Sequence, residues 1–423
     1  MTQSKDVNER TGALNEDCPV LKLPNELLGH VVEELPAPVF HGSHFDEESY
    51  PAFALSHTCK LWREVVMSYP RCWRWIPCAN SRWLTEGLRR SQGALLRLHI
   101  DVEYHVDSLK SNLALLAEHT SRVESVTVGD HPYGTRPLAR KRATFRSSSI
   151  SAILTLLRYH DFATMRELIM YQWRFEPEVT TLPTLFLDKT PPFLTHIVVS
   201  CASLRPGRRP FLSSSLTHFE IVRGSLGTDV DDLIEILKAM PLLEVFIARE
   251  RDRLTGTSLH RQTVQRTHSV PLRHLRQMTC DGPFEDGLIA LGLLSLPLTC
   301  SINISNRPPH WGKPFVRYPT NWSTAFDALS DHLSTVPATA MSHPASRIDI
   351  CQPQDGDTPS VEASLEILYV LETANPEPVS IQVTWYAEKG SRDTTHPSFT
   401  SALAPHLFDA AHTLRVESSS SSA

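Results

Sequence analysis

The sequence predicts a mixed α+β or α/β fold, in which a small N-terminal helical module precedes a larger αβ body. In the module, apolar residues recur at the one-, three- and four-residue steps of amphipathic helices. Beyond residue 90, a triplet spaced apolar-x-x-apolar-x-apolar returns repeatedly, with helix-like stretches between several of its copies. Alternation of helix and strand at this period predicts a right-handed αβ solenoid with its strands on the concave side.

The first predicted helix begins at Pro24, which suits a first turn because the N–H group there would be unpaired in any case. Glu26 places negative charge near the positive end of the helix dipole. Pro36 cannot continue the helix and ends it. Between these limits the apolar residues form one stripe, made of Leu27, Leu28, Val31, Val32 and Leu35.

The second predicted helix runs from Pro51 to about Ser68, and Pro70 ends it. Fully burying a Leu or Val side chain is worth roughly 1.5–3 kcal/mol. So small a module cannot bury all its apolar residues alone, and an exposed remainder would aggregate unless a partner covered it. The module is therefore predicted to dock onto a partner. The inward residues of its second half are predicted to be Phe53, Leu55, Cys59, Trp62, Val65 and Val66, followed by Trp73 and Trp75.

In this order and near the N-terminus, these residues resemble an F-box, the module by which substrate receptors attach to the Skp adaptor of cullin ubiquitin ligases. The family's opening, Leu-Pro-x-Glu followed by spaced apolar residues, is matched from Leu23 to Leu35. The sequence departs from the family pattern in its longer loop after Leu35 and at Thr58, where an aliphatic residue is typical. The second half of the pattern is matched by Leu55, Lys60, Trp62 and Trp73.

The resemblance implies that one set of residues forms the Skp-adaptor interface or its immediate support. Sequence alone does not separate the core members of this set from the interface members. The same residues also fit an ordinary helical hairpin packed on the rest of the chain. The implied adaptor-binding residues are Leu23, Pro24, Leu27, Leu28, Val31, Leu35, Leu55, Trp62 and Trp73.

The repeated triplet of the body begins at Leu95, Val123, Met165, Leu194, Leu216, Leu242 and Leu275. The intervals between these residues are 28, 42, 29, 22, 26 and 33, and four of the six lie within the period of about 20–29 residues seen in leucine-rich repeats. The pattern is similar to the irregular leucine-rich repeats that follow F-boxes in basidiomycete fungal proteins. No asparagine ladder follows the strands, so a single α/β domain with several buried strands remains the alternative.

Helix-like stretches with polar first-turn residues precede several strands and fit capped helices. Their apolar positions include Leu109/Leu113/Leu116, Ile150/Ile153/Leu154/Leu157, Val230/Leu233/Ile234/Leu237 and Trp322/Phe326/Leu329/Leu333. Looser strand candidates follow at Leu298/Ile302/Ile304, Ile348/Ile350, Ile381/Val383 and Leu414/Val416.

Composition narrows the possible partners and compartments. The chain has 423 residues, is 41% hydrophobic and 21% charged, and carries a formal net charge of −6, which gives no case for nucleic-acid or anionic-membrane binding. No apolar run is long enough to cross a membrane. The polar start lacks the apolar core of a signal peptide, and eight scattered cysteines without a CxxC pair read as reduced thiols. We therefore expect a cytoplasmic or nuclear protein.

Side chains that could carry chemistry are sparse. His41 and His44 lie beside acidic residues, but structural zinc sites combine two separated ligand pairs on a rigid frame. The basic run from Arg136 to Arg146 fits either an import signal or a solvated loop. Nucleophile-elbow, phosphate-loop and dinucleotide motifs are absent from the sequence. We expect no cofactor, no metal and no enzymatic activity.

The predicted organisation is a tail over 1–19, an F-box over 20–78, a leucine-rich-repeat-like target-binding region over 79–416 and a Ser-rich tail over 417–423. If the resemblance holds, the chain is a substrate-recognition adaptor of a Skp–cullin–F-box (SCF) ubiquitin ligase. The competing hypothesis is a ligase-independent interaction scaffold built on the same body. An enzyme whose site is assembled from distant residues is a third hypothesis, without a supporting motif.

Overall fold

The computed structural model divides the chain into two compact units, Met1–Phe175 and Glu176–Ala423. Both units combine helices with parallel strands, so the predicted mixed α/β class is confirmed. The structure describes residues 19–34, 51–78, 80–100, 106–129, 143–170, 180–181, 190–200, 202–204, 214–222, 224–227, 230–249, 270–281, 284–297, 299–306, 345–351, 360–370 and 378–388.

Helices α1 to α6 lie in the first unit and α7 and α8 in the second. Short 3₁₀ turns cover Pro19–Lys22, Pro70–Trp73 and Thr120–Arg122. The α-helices span Asn25–Glu33 (α1), Pro51–Ser56 (α2), Lys60–Ser68 (α3), Ser81–Ser91 (α4), Val106–Ala117 (α5), Ala143–Tyr159 (α6), Val230–Lys238 (α7) and Phe284–Leu293 (α8).

The prediction of a single helix from Pro51 to Ser68 is wrong, because the helix is interrupted between α2 and α3. The Ser56 hydroxyl donates a hydrogen bond to the Phe53 carbonyl, and the Thr58 hydroxyl donates one to the Leu55 carbonyl, both at 2.7 Å. Such side-chain bonds compete with the helical ladder. Cys59 is then extended, with φ −152°, and α3 restarts after it.

The first unit holds four parallel strands, paired in chain order. One face of this sheet is apolar and buried, with Ile76, Leu98, Val126 and Leu168 in one register row. Helices α4, α5 and α6 contribute further buried apolar side chains, including Leu84, Leu113 and Ile153, to the core of this unit. The strands span Trp75–Pro77 (β1), Leu96–Ile100 (β2), Val123–Val128 (β3) and Glu167–Met170 (β4).

The opposite face of this sheet is polar. Arg97 lies 5.1 Å over the ring of Trp75 and forms an ion pair with Glu124 at 3.1 Å. Ser125 donates a hydrogen bond of 2.6 Å to the Glu167 carboxylate. These contacts join all four strands side by side.

His99 of β2 makes the first unit sensitive to acid. Burial lowers the pKa of His99 from the ordinary 6.5 to about 4. The unfolded chain therefore binds this proton at a higher pH than the folded chain, so stability is lost as the pH falls from about 6.5 towards 4. We expect a loss of roughly 1–2 kcal/mol between pH 7 and pH 5, and His99→Asn should remove most of it. Native-state hydrogen exchange in β2 and β3, corrected for intrinsic rates, measures the free energy of unfolding at each pH. An equal loss of stability in the wild type and in His99→Asn would contradict the prediction.

The second unit contains a larger sheet in which β6, β8, β10, β12, β14 and β17 pair in that order, all parallel. Strands β16 and β15 extend it antiparallel beyond β17. Short strands form a ladder β5-β7-β9 and a pair β11-β13. The strands span Thr180–Thr181 (β5), His196–Ser200 (β6), Ala202–Leu204 (β7), His218–Val222 (β8), Ser225–Leu226 (β9), Val245–Arg249 (β10), Val270–Pro271 (β11), Gln277–Asp281 (β12), Leu294–Ser295 (β13), Ser301–Asn306 (β14), Ala345–Cys351 (β15), Ser360–Val370 (β16) and Pro378–Glu388 (β17).

The two faces of this second sheet differ in chemistry. One register row consists of fully buried apolar residues, namely Ile197, Phe219, Phe246, Met278 and Ile302. The neighbouring row on the other face begins with His196 and His218, whose rings stack with centroids 4.0 Å apart. Burial, and secondarily the charge of His196, lowers the pKa of His218 to about 4, so His218 is neutral at pH 7.

Two pairs of ladders in the second unit advance in step along the chain. Thr180 pairs with Ala202 in the short ladder and His196 pairs with His218 in the large sheet, so the two pairings have the same offset in sequence. Val270 pairs with Leu294 and Gln277 pairs with Ser301, and these two pairings again share one offset, slightly longer than the first. In each of these two segments, the same number of residues therefore separates paired strands in the short ladder and in the large sheet.

Gly227 follows β9 in a conformation that requires glycine. Its φ is +78°, and a Cβ atom there would lie 2.1 Å from the Cβ of Asp232 on α7. We expect Gly227→Ala to lower the free energy of unfolding by at least about 2 kcal/mol, because both the left-handed backbone and the contact oppose a side chain. Urea unfolding measures the change. Gly93→Ala is the matched control, since nothing lies within 4 Å of its Cβ position; an equal effect of both substitutions would contradict the explanation.

Each of the seven predicted triplets overlaps a strand of the structure. Two of their first members were wrongly assigned to the interior: Leu95 and Leu242 are exposed, and Leu96 and Leu243 are buried instead. The later candidates Ile304, Ile348 and Ile381 also lie in strands. The predictions at His41/His44, Trp322–Leu333 and Leu414/Val416 fall outside the described residues, as do Arg136 to Arg142 of the basic run, whereas its last member, Arg146, lies in α6.

Candidate docking surface

Helix α1 has one buried face and one exposed apolar face. Leu28 and Val32 point into the protein and are 0% and 6% exposed. Leu27 and Val31 are 49% and 41% exposed on the other face, and Leu23, which lies two residues before the helix begins, is 37% exposed. Side chains four residues apart lie on the same side of a helix. We call Leu23, Leu27 and Val31 the docking stripe; the exposed Pro24 lies beside its first member.

An aromatic core supports α1 from below. The Trp73 indole N–H donates a hydrogen bond of 2.8 Å to the Val66 carbonyl. The Trp73 ring also stacks on Trp83 of α4, with centroids 6.3 Å apart, and Phe53 meets Trp83 edge-on at 5.6 Å. The buried members of this core are Val32, Ala52, Val66, Cys72 and Trp73, and its half-buried members are Phe53, Leu55, Trp62, Tyr69, Trp75 and Trp83.

Arg90 of α4 connects this core to the surface of α3. Its guanidinium lies 4.8 Å over the Trp73 ring and 2.8 Å from the sulfur of Met67. Glu86 forms ion pairs with Arg90 and with Arg89, the latter at 2.7 Å. Hydrogen bonds from these arginines lower the pKa of Glu86 to about 2, so it is a carboxylate across the physiological range.

Cys72 is the core residue with an intrinsically nucleophilic side chain, and its surroundings suppress that chemistry. Burial, and secondarily the charge of Glu33, raises the pKa of the Cys72 thiol to about 12. The thiolate is the reactive form of cysteine. Cys72 therefore acts as a small apolar residue in this core.

Tyr69 packs directly against the middle of α1. A Cβ atom at Gly29 would lie 3.0 Å from three atoms of the Tyr69 ring. Glycine at this position therefore lets the ring approach the helix backbone closely. The interior glycine costs helix propensity of about 1 kcal/mol relative to alanine, and the close packing explains why the position is occupied by glycine.

The structure sorts the nine residues that the sequence assigned to one set. Leu23, Pro24, Leu27 and Val31 are exposed, and Leu28 and Trp73 are buried. Leu55 and Trp62 are half-buried members of the supporting core. Leu35 lies outside the described residues. Trp83 of α4 also packs against this core, although the sequence did not lead us to assign it there. Its large aromatic side chain near the start of a helix could have indicated this role.

Protein-family models, curated proteins and solved structures contain no match to this chain. Within the residues that the structure describes, no three His, Cys, Asp or Glu side chains are arranged to bind a metal ion. No helix in the same part of the chain combines the length and apolarity needed to cross a bilayer.

Proposed function

We propose that this protein is a substrate-recognition adaptor of an SCF-type ubiquitin ligase, with an F-box that binds the Skp adaptor through the docking stripe. One observation carries the proposal: Leu27 and Val31 are exposed on a helix whose opposite face is packed on a tryptophan-rich core, and Leu23 is exposed just before that helix begins. These exposed positions belong to the Leu-Pro-x-Glu pattern by which the sequence resembles an F-box.

The energetics of the stripe support a partner. Complete burial of a Leu or Val side chain is worth roughly 1.5–3 kcal/mol, so covering the exposed fractions of these three side chains supplies about 2–4 kcal/mol towards association. Such an adaptor contributes no catalytic residue. It raises the local concentration of a target near the ligase, so that transfer becomes effectively intramolecular. An adaptor of this kind acts in the cytoplasm, the nucleus or both.

In this proposal, the region over 79–416 is an irregular leucine-rich-repeat-like solenoid that captures a protein target. The matched offsets of the paired ladders, found in two separate segments of the second unit, support this assignment. Equal offsets in the large sheet and in the short ladder are expected of a solenoid, in which each coil of the chain contributes a strand to both. Stacked coils of this kind bury a continuous core. The uniformly apolar buried face of the second sheet fits such a core.

The test is co-expression of the full chain with the Skp adaptor, followed by size-exclusion chromatography. We expect a stoichiometric complex that also binds the cullin subunit. A folded chain that elutes alone would contradict the proposal, and the ligase-independent scaffold would then be the better explanation of the docking stripe.

A further inference from the structure

We propose that Glu33, Arg71 and Arg74 are positioning residues that fix the rotation of α1, and hence the outward orientation of the docking stripe. The three residues are called the clasp below. The inference rests on the proposed function for its consequence in binding, but the clasp itself can be tested on the free protein. None of the three residues belongs to the apolar pattern of the stripe.

Glu33 is the centre of the clasp. Its side chain is only 12% exposed, and one carboxylate oxygen lies 3.2 Å from Nη1 of Arg71. The other oxygen lies 3.1 Å from Nδ1 of His30, one turn back on the same helix. Burial, and secondarily the charge of Glu33, raises the pKa of the neighbouring Tyr69. A largely covered carboxylate with polar partners both on its own helix and on the segment after α3 is held in one place.

The position of Glu33 on the helix also points to a tertiary role. It lies in the last turn of α1, where the negative end of the helix dipole disfavours a carboxylate. The compensating cations come from outside the helix, from the segment after α3. Arg71 pairs with the Glu33 side chain, and Arg74 reaches the Glu33 backbone carbonyl at 3.5 Å. The end of α1 is therefore tied to a segment 38 to 41 residues further along the chain.

The clasp adds a polar restraint to the apolar packing of α1. Leu28 and Val32 anchor one face of the helix, which is only nine residues long. Successive residues of a helix are about 100° apart. A rotation of that size would turn Leu27 and Val31 towards the core and expose Leu28. The pairing of Glu33 with Arg71 opposes that rotation.

The experiment measures the affinity of the full chain for the Skp adaptor together with hydrogen exchange of the α1 amides in the free chain. We expect Arg71→Met to weaken binding and to accelerate exchange in α1, each by about 5- to 30-fold, since loss of one such pair corresponds to roughly 1–2 kcal/mol. Arg71→Lys keeps a cation and should stay within about threefold of the wild type. The control is Lys60→Met, which removes the exposed pair with Glu64 at 3.7 Å and should change neither quantity.

If the α1 amides of Arg71→Met exchange as slowly as those of the wild type, the clasp is overturned. If the wild type binds the adaptor and Arg71→Met binds it equally well, the clasp is also overturned. Global unfolding of Arg71→Met would also overturn it, because the pair would then be a general stability element. If the wild-type chain does not bind the adaptor, the proposed function fails. The exchange measurement then decides the clasp alone: acceleration confined to α1 supports it, and unchanged rates overturn it.

Discussion

The double substitution Leu27→Asp with Val31→Asp is expected to weaken binding of the Skp adaptor at least about 100-fold, while the chain stays folded. Both side chains are nearly half-exposed, so their loss removes little of the protein's own core. A complex would have to bury two carboxylates against an apolar surface, and each unpaired charge costs several kcal/mol. A loss of about 1.4 kcal/mol in binding free energy lowers the affinity tenfold. Isothermal titration calorimetry with the purified full chain measures the change.

Two controls separate the docking stripe from the fold. Leu115→Asp makes the same kind of change at an exposed leucine of α5 and should leave adaptor binding intact. Leu28→Asp places the charge in the buried face of α1 and should unfold the helical module. Pairing Leu27→Asp with Leu28→Asp would therefore mix the two effects. Wild-type affinity of the Leu27/Val31 variant would contradict the assignment of the stripe.

Trp73→Ala is expected to lower the stability of the helical module by about 3–5 kcal/mol, the usual cost of removing a buried aromatic side chain. Three contacts would be lost with the ring: the hydrogen bond to Val66, the stack on Trp83 and the Arg90 guanidinium. The cavity would lie directly beneath α1 and at the start of α4. Urea unfolding followed by near-ultraviolet circular dichroism, which reports on the packed indoles, measures the loss.

Two milder variants test this explanation. Trp73→Phe keeps most of the apolar volume but lacks the N–H donor, so we expect an intermediate loss. Trp75→Ala removes an indole that is only half-buried and should cost less than Trp73→Ala. Equal urea midpoints for Trp73→Ala and the wild type would show that the aromatic core does not hold the module together.

The strands of the body were the most predictable part of the fold. A buried strand needs apolar residues at alternate positions, and the triplets at Val123, Leu194 and Leu216 supply them directly. The positions at which strands and helices begin and end were less predictable, because they depend on contacts with residues distant in the sequence. Two consecutive leucines stand at the start of β2 and shortly before β10, and only the packing shows that Leu96 and Leu243 are the buried ones. The break between α2 and α3 depended on hydroxyl–carbonyl bonds that helix periodicity does not report.

For the docking surface, the pattern located the residues but not their roles. Leu27 and Leu28 are adjacent and chemically identical in sequence, and the direction of the supporting core alone makes one exposed and the other buried. Tertiary pairs were less predictable still. Nothing near Glu33 in the sequence indicates that its cation is Arg71, because α2 and α3 lie between the two residues in the chain.

The paired ladders also determine where this chain can gain length. Between Thr180 and Ala202, and between His196 and His218, the two ladders have the same offset, so an added residue within one of their strands would shift one ladder against the other and turn inward side chains outward. Ser125 of β3 and Glu167 of β4 are register partners too, but the chain between them is almost twice as long. The pairing of β3 with β4 is therefore compatible with a longer connection. That connection is the natural place for an inserted epitope tag.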